Sequence, residues 1–136
     1  MAAGHYCGVH VHLSFDPKVN LPVGQFVGVM ESEVLLNQRS GYTTTQQWID
    51  HVGGLKPEQS FIHPFTLLQI GENEPERQHQ QWMLTIWKDS SGGFWCAILR
   101  EDDGHRKFDI SPVGSGTKFD SSYLGASSAR KLPSAA

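Results

Sequence analysis

Cysteine is scarce in this chain: 136 residues hold only Cys7 and Cys96. Two thiols allow at most one bridge, and their separation lacks the spacing of a metal knuckle, so a disulfide framework and a zinc-finger scaffold are excluded. The pair reads as two separate strand residues. No apolar run is long enough to span a bilayer as a helix, and no basic-then-apolar segment opens the chain. The expectation is a soluble chain with no signal peptide, cytoplasmic by default. An excess of positive charge is lacking too: 11 Lys and Arg stand against 14 Asp and Glu, a formal net charge of -3. Such a chain has no broad attraction for phosphate backbones or acidic membranes, so neither nucleic acid nor membrane is expected as a partner.

Catalytic and cofactor signatures are missing as well. There is no G-x-S-x-G elbow, no phosphate-cradling glycine loop ahead of a helix and no Cys/His signature, and no cofactor is expected. What is present is one domain's worth of chain, 38% apolar and 18% charged, with four Trp, seven Phe and three Tyr.

Cys7 to Phe15 (CGVHVHLSF) alternates with period two, placing Cys7, Val9, Val11, Leu13 and Phe15 on one buried face. Pro17 closes that strand. Gly24 to Leu36 reads as a second strand, bulged or broken near Gly28. In Gly41 to Leu55 the period changes: Trp48, Ile49, Val52 and Leu55 share a helical face, threonines offer an N-cap and Gly53-Gly54 a stop. Phe61 to Ile70 looks like a strand with Pro64 at an edge or bend, and Lys107 to Ser111 like the last strand. Residues 1–113 are expected to form a single β-rich domain, and 114–136 a flexible Ser/Gly-rich C-terminal tail.

Between these lies QQWMLTIWKDSSGGFWCAILRED, Gln80 to Asp102, two apolar runs around a Ser/Gly turn. It reads as a hairpin of Trp82 to Lys88 and Phe94 to Glu101. Both faces of both strands are largely apolar. Either two layers cover the hairpin, or one face offers aromatic rings to a partner. The expected class is β-dominated α+β, an antiparallel sheet or small β-sandwich with one short helix.

Candidate chemistry is sparse. His10 and His12 share a strand face, where two imidazoles can converge on a metal, but the third ligand would have to come from elsewhere; a solvent-facing pair is the plainer reading, and no metal is expected. Glu31 and Glu33 also share a face and could divide acid and base work with a third carboxylate, or simply be solvated.

The run Ile86 to Cys96 (IWKDSSGGFWC) resembles a hairpin of the neprosin family of plant proteins, whose run reads like IWKDPxxGNWWL. Ile86, Trp87, Lys88, Asp89, Gly93 and Trp95 match in spacing, whereas Ser90, Phe94 and Cys96 replace a proline, an asparagine and a tryptophan. The opening YCGVHVHLSFDPKV is similar to the family's first strand at Tyr6, Gly8 and Pro17-Lys18-Val19, one residue short in spacing. The resemblance implies a β-sandwich and a glutamic peptidase, in some members cutting after proline. The family's Glu-Ala-Gly-Trp and Gly-Cys-Tyr-Asn runs are absent here. The expectation is therefore a divergent neprosin-like, non-catalytic β-rich domain that binds a protein or peptide partner through Trp87, Trp95 and Lys88. The alternative is an acid-active glutamic-type endopeptidase cleaving proline-containing peptides, with its catalytic residues unassigned.

Overall fold

A computed structural model of the chain describes residues 7–22, 34–55, 60–73, 82–102 and 105–128. Six strands, β1 (Cys7–Val11), β2 (Val34–Gln38), β4 (Trp82–Lys88), β5 (Phe94–Asp102), β6 (His105–Val113) and β8 (Tyr123–Ser128), form one sheet in the order β1-β6-β5-β4-β8-β2. A separate pair joins β3 (Thr43–Thr44) to β7 (Lys118–Phe119). Three helices accompany them: α1 (Pro17–Asn20), α2 (Thr45–Leu55) and α3 (Pro64–Asn73). The class is β-dominated α+β. In detail the sheet is mixed, because β1 runs parallel to β6 and β4 parallel to β8.

The hairpin forms as its sequence implies, with Trp87 opposite Trp95 and Ile86 opposite Cys96. Both faces are covered, each by a different part of the chain. Met83, Trp87, Trp95, Ala97 and Leu99 pack with Leu67 and Ile70 of α3, together with Phe108 and Ile110 of β6. Leu84, Ile86 and Cys96 pack on the opposite face with Trp48 and Val52 of α2 and with Phe119 of β7. A strand buried on both sides has no reason to alternate.

The sequence fixes α2 at its start. Thr44 Oγ1 accepts the Gln47 amide at 3.1 Å, and the Gln47 side chain accepts the Thr44 amide at 2.9 Å, a reciprocal cap that satisfies two otherwise orphaned donors. The helix runs through Gly53 and Gly54 to Leu55 rather than stopping at them.

Three expectations need correction. Phe61 to Ile70 is not a strand: Phe61 makes a single bridge to Ser127, and a helix begins at Pro64. Proline at the first helical position gives up an amide that would have no partner there, and the His63 ring caps the turn by accepting the Phe65 amide at 3.1 Å. The opening strand ends at Val11, and its supposed core face is open, with Val9 49% and Val11 45% exposed. Phe15 turns inward, edge-on to Trp95 at 5.4 Å. The tail assigned to 114–136 is structured as far as Ser128, because β8 lies inside the sheet between β4 and β2. Its small residues suit that position: a Cβ on Gly125 would lie 2.5 Å from Cζ3 of Trp48, whose side chain fills the space above. Residues 129–136, the expected bulge near Gly28, and Glu31 and Glu33 lie outside the described residues.

Candidate functional site

The residues that carried the family resemblance organise the hairpin turn. Asp89 is buried, and its carboxylate accepts five hydrogen bonds: Oδ1 from Ser91 N, Ser91 Oγ and Gly93 N, and Oδ2 from Asn20 Nδ2 and Trp95 Nε1, at 2.7 to 2.9 Å. Burial alone would push this carboxyl up, but the bonds from Ser91, Asn20, Trp95 and the Gly93 backbone hold it well below the usual carboxylate range. Trp87 Nε1 donates to the Asn20 carbonyl at 2.6 Å, and Ser90 donates to the Val19 carbonyl. The turn and α1 are thus tied into one polar unit.

That geometry corrects the expected binding face. Trp87 is 3% and Trp95 5% exposed, their rings are in the core and their indole N–H groups are spent inside the protein. Neither ring is available to a partner. Lys88 is exposed, with its ammonium 5.2 Å from the centre of the Phe94 ring, but it stands alone of the expected trio.

A different surface is open. The α2 layer covers the second face over β4 and β8, while over β1, β6 and β5 there is a groove of about 380 Å³ lined by His10, His12, Ile98, Arg100, Asp109 and Ser111 among others. Register explains the grouping: His10 lies beside Asp109, Asp109 beside Ile98, and Ser111 beside Cys96. Arg100 Nε donates to Asp109 Oδ2 at 3.0 Å, and its guanidinium lies 5.4 Å from the centre of the Trp82 ring, so the head group is held from two sides. The Ser14 amide donates to His12 Nδ1 at 3.1 Å, and Ser14 Oγ lies 2.8 Å from the same nitrogen, so Nε2 is the ring nitrogen left as a donor.

This arrangement suits recognition. Among the described residues no three His, Cys, Asp or Glu side chains converge as a metal site would require, so His10 and His12 lack a third ligand there. Cys96 is a free thiol buried in the cluster under α2, pushed up to about 11 mainly by burial, with Ser111 Oγ at 3.7 Å. It is poorly suited to act as a nucleophile. Arg100, Asp109 and Ser111 were not singled out from the sequence, although the alternation of Lys107, Asp109 and Ser111 with Phe108 and Ile110 marks one polar face of β6.

No helix among the described residues is long and apolar enough to cross a membrane. No family model, curated protein or solved structure matches the chain.

Proposed function

We propose that this chain is a non-catalytic β-rich binding domain that receives a protein or peptide partner on the open half of its second sheet face. The observation that carries the reading is the division of that face: α2 seals one half, and the other holds a groove walled by His10, His12 and Arg100. Grooves that mix apolar floor with a few fixed polar groups are where ligands are held. Arg100 supplies such a group, since Asp109 and Trp82 restrain it before any ligand arrives.

A neprosin-like ancestry belongs to the same proposal. Trp87, Asp89, Gly93 and Trp95, which match that family, build the hairpin turn around the buried Asp89 carboxylate, and such residues serve the fold whether or not catalysis is retained.

The test is selection from a random peptide display library on the folded chain, followed by chemical-shift mapping of the selected peptides. The expected result is perturbation centred on His10, His12, Arg100 and Ser111. Failure to select binders, or shifts confined to other surfaces, would overturn the reading. So would acid cleavage of proline-containing peptides that is abolished by Glu31→Gln or Glu33→Gln.

A further inference from the structure

β1 says more about the partner than the groove alone does. It ends the sheet order, and among the described residues no strand lies beyond it. Val9, His10, Val11 and His12 are all exposed, on both sides of the sheet. Edge strands are usually blunted by lysine, proline, inward charge or a bulge, yet CGVHV contains neither a proline nor a Lys, Arg, Asp or Glu.

The inner pairing fixes which backbone groups face outward. His12 donates its amide inward to the Ile110 carbonyl at 2.9 Å. Successive strand residues alternate the side to which they turn their N–H and C=O, so His10 also points inward while Val9 and Val11 turn theirs to the open edge. Side chains alternate as well: Val9 and Val11 share the face of Phe108 and Ile110, and His10 that of Asp109.

We infer that the partner's segment is an extended peptide that adds to the outer edge of β1 as a seventh strand of the sheet, with carboxylate side chains toward His10 and His12 and apolar side chains toward Val9 and Val11. The inference rests on the binding reading above and names its occupant. Main-chain bonds to Val9 and Val11 give the peptide its register. Adjacent strands lie about 4.8 Å apart, so the imidazoles are the first groups its side chains meet on the groove side. His12 offers a donor there, because its Nδ1 already accepts the Ser14 amide, and a carboxylate is the acceptor that complements it. Asp109 lies on the same face as His10, but its carboxylate is already committed to Arg100.

The experiment uses the full chain and peptides of about ten residues, the length of a long strand. One alternates Val with Glu, one alternates Val with Lys, and a third is the Val/Glu peptide N-methylated at the amides of one edge. Affinity is read by fluorescence anisotropy and the contact by amide hydrogen exchange. The Val/Glu peptide is expected to bind and to protect the Val9 and Val11 amides. Affinity is expected to fall at least about tenfold on N-methylation and on exchange of Glu for Lys. A chain carrying both His10→Gln and His12→Gln, two exposed positions, is expected to bind the Val/Glu peptide several-fold more weakly and to discriminate less against Lys.

Equal binding of the N-methylated peptide, or binding without new protection at Val9 and Val11, overturns the inference. Concentration-dependent protection of those amides without peptide also overturns it, in favour of a second copy of the chain. If library-selected peptides occupy the groove while the Val/Glu peptide does not bind, only this inference fails; if neither binds, the binding reading fails with it.

Discussion

Asn20 donates its side-chain amide to the Asp89 carboxylate at 2.7 Å, joining α1 to the hairpin turn across 69 positions of sequence. Its own Oδ1 accepts the Asp16 amide at 2.7 Å, so this one residue closes the helical turn and anchors it. The pairing makes a four-residue helix stable in a place where its length alone could not.

Asp89→Ala is expected to be the most disruptive single change in the turn. It strands Trp95 Nε1, Asn20 Nδ2 and two backbone amides, and buried donors left without an acceptor cost about 1–3 kcal/mol each, so a loss of several kcal/mol is expected. Urea unfolding of the variant would measure it. The acid limb tests the same group. A carboxyl depressed in the folded state contributes fully above its unfolded value of about 3.9, and the contribution is lost as pH falls below that toward the folded value. Stability should therefore decline below about pH 4, and Asp89→Asn should flatten the decline while lowering stability at neutral pH.

His63 predicts a separate loss at milder acidity. Burial holds its pKa below the usual histidine range, and its Nδ1 must stay unprotonated to cap α3. The folded state then binds fewer protons than the unfolded one, so this contribution is complete above about pH 6.5 and is lost as pH falls below it. Melting temperature should drop between about pH 6.5 and 5, and His63→Asn, which caps without titrating, should reduce that slope. His51 is lowered in the same direction, by burial first and by Arg39 second, so part of the slope should remain in the variant.

Gly125→Ala tests the packing of α2 on the sheet. The added methyl would meet Trp48 at 2.5 Å, and overpacking of this kind costs about 1–3 kcal/mol. In a chain that also carries Trp48→Leu the penalty for alanine should shrink, because the obstructing ring is gone. A double-mutant cycle by chemical denaturation would show the two sites coupled; additive effects would mean that the strand shifts instead.

Cys96 should resist modification. The thiol is 1% exposed and pushed up to about 11, so iodoacetamide at about pH 8 should label it only on unfolding. Peptide mapping by mass spectrometry separates its labelling from that of Cys7. Rapid reaction of Cys96 in the native protein would mean that α2 opens readily.

The hairpin was legible because its turn and its two runs are contiguous, and α2 because Thr44, Gln47 and the Trp48/Val52 spacing are local signals. Phe61 to Ile70 misled for a physical reason: aromatic and branched residues favour strand locally, but Pro64 and the His63 cap favour helix, and Leu67 and Ile70 then reach the core on helical spacing. β8 escaped notice because Gly125, Ala126 and Ser127 show no apolar period; their lack of bulk is answered by Trp48, far away in sequence. Trp87 and Trp95 drew attention as conspicuous rings, and nothing local reveals that Asn20 and Asp89 occupy their N–H groups. The groove is the least legible part. His10, Arg100 and Asp109 meet only because β1 pairs parallel to β6 and β6 antiparallel to β5, a register no single segment contains.

The position of β8 also sets a timetable for the chain as it is made. Among the described residues β2 is joined to the main sheet only through β8, with Val34 facing Ser128, and β1 waits for β6, with Cys7 facing Arg106. Both outer strands thus leave the ribosome long before their partners exist. A nascent chain halted before residue 123 can assemble β1, β6, β5 and β4 but leaves β2 unattached and Trp48 without its seat on Gly125. Such an arrangement favours late, cooperative closure and slow folding over piecemeal growth. A chain halted there would consequently expose β2 and the Trp48 side of the sheet, surfaces for a chaperone to recognise until β8 is added.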